Sequence, residues 1–196
     1  DQRAMSSLAM ASVLLAAVSM EDFCGPKGDL RMVSIVHAIV DEFYNKNLDV
    51  TKLIPENLVS RNPAQRKVGA DMPEVQIATA FVNFIENTNS TTVPAAISSI
   101  FAEFDRIGWI HQKFCFVLLQ LLVLAVPAPY LCVVLSEFFK RLERTAQDSV
   151  VIILSDCIAE VLLSNRSPLG YSAIELASNF LRLLRKLRPN ACQDPR

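Results

Sequence analysis

Apolar residues along this chain recur at helical i, i+3, i+4, i+7 intervals, and proline and glycine interrupt them at regular places. Alternating stretches and glycine-rich hairpin turns are nearly absent, so the pattern predicts an all-α protein. A first amphipathic helix is expected from Ala4 to Glu21, stopped by Cys24-Gly25-Pro26. A second runs from about Asp29 to Asn45 and places Met32, Ile35, Val36, Ile39, Val40, Phe43 and Tyr44 on one broad stripe. The stretch 49–70, with Pro55, Pro63, Arg61, Arg66 and Lys67, reads as a connector holding one short helix near Thr51 to Leu58.

Punctuation then becomes periodic. Asp71-Met-Pro-Glu74 has the form of a capping box with proline in the first turn, and it launches a helix through Val75, Ile77, Ala80, Phe81 and Phe84. Thr92-Val-Pro94 opens the next helix, which Gly108 ends. A third spans Ile110 to Val126, with Trp109, Ile110 and Phe114 expected in the core. A fourth follows the Val-Pro-Ala-Pro corner, from Pro129 to about Thr145, and a fifth covers about Asp148 to Leu163. Ser172-Ala-Ile-Glu175 is a second capping-box pattern, opening a last helix that Pro189 stops.

Helical pairs therefore start near 71, 109 and 147, a period of about 38 residues. The expected organisation is a first helical pair over 1–48, a connector over 49–70, three helical hairpins over 71–189 and a tail over 190–196. A period of this length is close to that of HEAT and armadillo units, so the expected fold is a HEAT/armadillo-like stack of about four helical hairpins. A closed helical bundle is the alternative. In a stack, helices such as Ile110–Val126 and Val150–Leu163 are walled in by adjacent repeats and need apolar residues nearly all round.

Composition agrees with a large interior: 52% of the 196 residues are hydrophobic and 20% are charged. That excludes a disordered or collagen-like chain. The formal charge of −1 leaves no overall field for nucleic acid or an anionic membrane. Five cysteines, odd in number and set in apolar runs such as Phe114-Cys115-Phe116, read as reduced core residues of a cytoplasmic protein. The sequons at Asn89 and Asn165 are too permissive a pattern to argue for secretion. Arg3 and the apolar stretch after it resemble a signal peptide, but serines at helical intervals favour an amphipathic helix. An opening Asp1 in place of Met suggests a segment of a longer chain. The uncharged run from Phe114 to Ser136 has transmembrane length, yet Pro127 and Pro129 in its middle favour two buried helices joined by a corner.

Chemistry is sparse. No phosphate-loop, dinucleotide, zinc-protease or nucleophile-elbow motif occurs, so an enzyme, a cofactor and a metal site are not expected. His111 and Cys115 stand four apart, but Cys115 lies between two phenylalanines, which favours a structural role. His37, in an apolar stripe, reads as a satisfied, half-buried residue. Asp41 and Glu42 are adjacent, so they point to different sides of a helix. The remaining candidates are basic: Lys140, Arg141 and Arg144 at the end of one helix, and Arg182, Arg185, Lys186 and Arg188 at the end of the last. Cations there complement the helix macrodipole. Stacked on successive repeats, they would also form a ridge facing acidic lipid head groups or an acidic protein partner.

The stretch Val150-Val-Ile-Ile-Leu-Ser-Asp-Cys-Ile-Ala-Glu-Val-Leu-Leu-Ser164, followed by Pro168-Leu-Gly-Tyr-Ser-Ala-Ile-Glu-Leu176, resembles a pattern of the rolling blackout family. The segments Gln76–Ile85 and Gln112–Leu119 fall in an order similar to that family's central repeats. The resemblance covers roughly the last two thirds of the chain and rests mostly on apolar positions. It implies a helical-repeat scaffold that holds a phosphatidylinositol 4-kinase III alpha complex at the inner face of the plasma membrane. The family's membrane-attaching cysteine and basic signals have no counterpart here, so no lipid-binding residue carries over. A helical bundle holding a lipid or other apolar ligand in its core is the alternative function.

Overall fold

In a computed structural model of the chain, residues 26–45, 49–60, 63–66, 69–163, 175 and 178–182 are described. The expected first helix, Ala4 to Glu21, lies outside them, as do Ser172 and most of the last helix. Among the described residues the protein is all-helical, with no strand. The helices are α1 (Pro26–Asn45), α2 (Pro55–Leu58), α3 (Pro63–Arg66), α4 (Pro73–Glu86), α5 (Thr92–Ile107), α6 (Gln112–Ala125), α7 (Leu131–Arg144) and α8 (Asp148–Leu163). Short 3-10 turns cover Val50–Lys52 and Ala128–Tyr130.

Packing joins helices that are mostly two apart in the chain. α4 packs on α6 and α6 on α8, while α5 packs on α7; α1 lies against α5 and α4, and α7 also meets α8. One continuous core results, in which Phe43, Phe81, Phe104, Phe138 and Leu119 are among the fully buried side chains. At roughly 1.5–3 kcal/mol for each large apolar side chain removed from water, this core outweighs any surface pairing. The connector belongs to it as well. Leu53, Pro55 and Leu58 are buried, and α2 packs on α6 and α4.

Element boundaries follow local chemistry. Gly108 ends α5 at φ +89°, its N–H donating to Phe104 O at 2.9 Å. Pro127 and Pro129 break the apolar run, and the chain turns by 119° between α6 and the segment Ala128–Arg144. Among the described residues no single helix is long and apolar enough to cross a membrane. The box at Asp71 does not form: Met72 is the N-cap of α4, and its side chain has no oxygen to accept a capping bond. Glu74 instead bonds its own backbone N–H, which holds its carboxyl below the usual range, and pairs with Lys52 Nζ at 3.3 Å.

Thr91, the N-cap of α5, makes no side-chain cap bond, and the turn leading into the helix is held by Asn89. Its Oδ1 accepts from the backbone N–H groups of Thr91 and Thr92, both at 3.0 Å, and from the Thr91 hydroxyl at 2.7 Å. Replacing Asn89 by Ala should cost about 1 kcal/mol, as helix-cap losses do. Urea unfolding measures this, and an unchanged midpoint would show that the amide bears no load there.

Three expectations need correction. Ile110 is not in the core: the turn after Gly108 leaves it 81% exposed, while Trp109 is buried and α6 begins only at Gln112. Among the described residues α8 is not walled in on both sides. α6 has α4 and α8 as neighbours, whereas α8 has α6 and α7 and shows Ile152, 53% exposed, and Leu163, 86% exposed, on its outer side. Tyr44, placed in the apolar stripe of α1 by its spacing, is also exposed.

Candidate functional site

Three places gather polar chemistry. The first lies where α1 meets α5. His37 Nδ1 is 2.9 Å from Glu103 Oε1, and its Nε2 is 3.1 Å from Asp41 Oδ2 one turn along α1. Arg106, three residues after Glu103, reaches Asp41 Oδ1 at 2.5 Å and Glu103 Oε2 at 2.7 Å. Glu103 is buried and the other three are half-buried or exposed, so the carboxylate most in need of compensation receives two basic partners. The hydrogen bonds that Arg106 donates to Glu103 and to Asp41 push its guanidinium further above the ordinary range. Donor atoms of His37, Asp41 and Glu103 lie within 4.8 Å of one another, a spacing that suits a divalent cation. Arg106 already bridges both carboxylates, and both His37 nitrogens face an acid. The cluster is thus complete as an interhelical clasp.

The second place is the end of α5. Asp105 accepts from Trp109 Nε1 at 2.7 Å and pairs with Arg141 of α7. The Arg141 guanidinium stands 5.7 Å from the centroids of both Phe101 and Trp109, so the cation covers two aromatic faces. The third is the seam between α6 and α8, where Gln120 Nε2 donates to Glu160 Oε1 at 2.7 Å.

Of the basic residues singled out by spacing, Arg141 is thus committed to Asp105 and two rings. Lys140 pairs with Glu137 at 2.7 Å on its own helix, Arg182 pairs with Glu143 of α7, and Arg144 is exposed. Arg185, Lys186 and Arg188 lie outside the described residues. Arg141, Lys140 and Arg182 therefore tie α7 to α5, to itself and to the following segment.

His111 and Cys115 do not converge. His111 is exposed and its Nε2 stands 3.2 Å from the Tyr44 hydroxyl, whereas Cys115 points into the core, where burial pushes its thiol up to about 12. Burial likewise raises the Cys157 thiol. At neutral pH both are protonated, so neither offers a thiolate nucleophile. Spacing alone had missed Glu103 as a partner of His37, although the i+3 pair Glu103 and Arg106 marked α5 as carrying charge on that side.

Comparison with protein-family models, with curated proteins and with solved structures finds no match for this chain.

Proposed function

We propose that this chain is a non-enzymatic scaffold, a HEAT/armadillo-like stack of helical hairpins that presents a surface to a protein partner. The observation that carries the reading is the contact pattern: α4, α6 and α8 follow one another on one side, and α1, α5 and α7 on the other. Successive helical pairs of a repeat array stack in this way, each burying faces that it cannot bury alone. The outer side of α8 supplies the surface. Ile152, Leu162 and Leu163 are exposed there, beside Ser155, Asp156 and Ala159, while Val150, Ile153, Leu154, Cys157, Ile158 and Val161 enter the core. Apolar side chains grouped on one open helix face suit a protein partner better than solvent.

The buried thiols and the fully engaged His37 cluster support a binding role over catalysis. The resemblance to the rolling blackout family extends the proposal to tethering a lipid-kinase complex at the inner plasma membrane. Acidic lipids rank second as partners, because Lys140, Arg141 and Arg182 are paired within the chain.

Small-angle scattering tests the architecture. A compact bundle of this length has a radius of gyration of about 16 Å. The stack predicts a larger value and an elongated distance distribution. A radius near the compact figure, with an apolar ligand co-purifying in native mass spectra, would replace it with the ligand-holding bundle.

A further inference from the structure

Among the described residues the buried Glu74 and Glu103 each pair with a cation, whereas Glu160 does not. Glu160 enters the seam between α8 and α6, where its Oε1 accepts from Gln120 Nε2 at 2.7 Å. Its Oε2 is shielded from solvent and has no hydrogen-bond partner among the described residues. Around it, α6 offers the neutral amide of Gln120, and α2 brings a second carboxylate, Glu56. On α8 itself the neighbours are Asp156 and the Cys157 thiol, which is raised in part by Glu160. α7, also packed on α8, has Lys140 on Glu137, Arg141 on Asp105, Glu143 on Arg182, and Arg144 exposed. No cation faces the carboxylate among the described residues.

We propose that Gln120 and Glu160 form an acid-tightened latch, in which protonation of Glu160 strengthens the α6–α8 seam and its ionisation loosens it. The geometry explains the direction. As a carboxylate, Glu160 keeps one oxygen dry and unbonded while facing another acid. As a carboxylic acid, it loses the buried charge and still accepts from Gln120 on Oε1. Burial raises its carboxyl above the ordinary range, against the opposing pull of the Gln120 bond.

The sign is fixed by linkage. A carboxyl raised in the folded protein binds more protons there than in the unfolded chain, so stability falls as pH rises through the folded-state titration. Its stabilising effect is complete below the unfolded-state range near 4.5. Asp49 and Glu74 work in the opposite sense: both are held low, Asp49 by the Thr51 side chain, and both lose their contribution as pH falls. Only a comparison of variants isolates Glu160.

The test is thermal unfolding of the whole chain at about pH 5 and about pH 7.5, for wild type, Glu160→Gln and Gln120→Leu, with hydrogen exchange read on α6 and α8. Glu160→Gln, permanently neutral, should melt about 2–4 °C above wild type at the higher pH, with the gap narrowing at the lower one. α6 and α8 amides should exchange more slowly in that variant at the higher pH. Gln120→Leu, which strands the carboxylate completely, should lose more stability at the higher pH than at the lower. A Glu160→Gln variant no more stable than wild type at the higher pH, or a gap unchanged between the two, would overturn the latch. If Glu160→Gln fails to fold, the pH dependence of Gln120→Leu decides, and a loss equal at both values overturns it.

Discussion

Phe104→Ala should lower the melting temperature by about 10 °C, through a loss of about 3–5 kcal/mol. Phe104 is completely buried on α5, a helix that packs on α1 and α7. Its ring meets Trp109 edge-on at 5.1 Å and Phe114 at 6.2 Å, and Phe114 in turn meets Phe43 of α1 at 5.9 Å. Truncation removes the hub of this chain of edge-to-face contacts and leaves a void that helices held on several sides cannot collapse to fill. Trp109 is the single tryptophan, so its fluorescence reports the change at the site itself. A shift below about 3 °C would mean that the junction repacks freely and that the cluster is not rigid.

The second large effect is expected at Gly108. Substitution by Ala should cost about 1–3 kcal/mol, the usual range for a residue forced into sparsely populated backbone space. Room is not the obstacle. An added Cβ would meet only the Ile110 side chain at 3.7 Å, an ordinary contact. The backbone is, because φ +89° with ψ 127° is open to glycine and strained for other residues. Guanidinium unfolding measures the loss. A difference within about 0.5 kcal/mol of wild type would show that the turn relaxes into another conformation.

These positions also show what was readable in the chain. The Gly108 stop and the corner at Pro127 and Pro129 act through their own backbone, so the residues alone announce them. The helical class follows from periodicity for the same reason. Capping was harder. Asp71 has the right spacing for a box, yet Met72 takes the cap position, while Asn89, which stands out in the chain only as a sequon, holds the turn leading into α5. Such choices depend on a few backbone angles that spacing does not determine.

The candidate site was legible only in part. Lys140, Arg141 and Arg144 stand out as a basic group on α7, but their spacing says nothing of Asp105 and the two rings that hold Arg141. His37 and Glu103 are 66 positions apart, so their meeting is a product of packing between α1 and α5. The exposed edge of α8 was missed on similar grounds. An apolar helix such as Asp148–Leu163 signals burial, whereas the number of neighbours it has is a property of the whole fold.

The alternation of contacts has a consequence for where the chain can be divided. A cut between α5 and α6 severs no helix, yet it separates α4 from α6 and α5 from α7 at once. Each half would then open an apolar flank along its full length, and the closure of long loops needed to bring those helices together would no longer be intramolecular. Contacts between helices two apart thus tie the region from α4 to α8 together, so no cut at a loop there leaves both sides with their apolar faces covered.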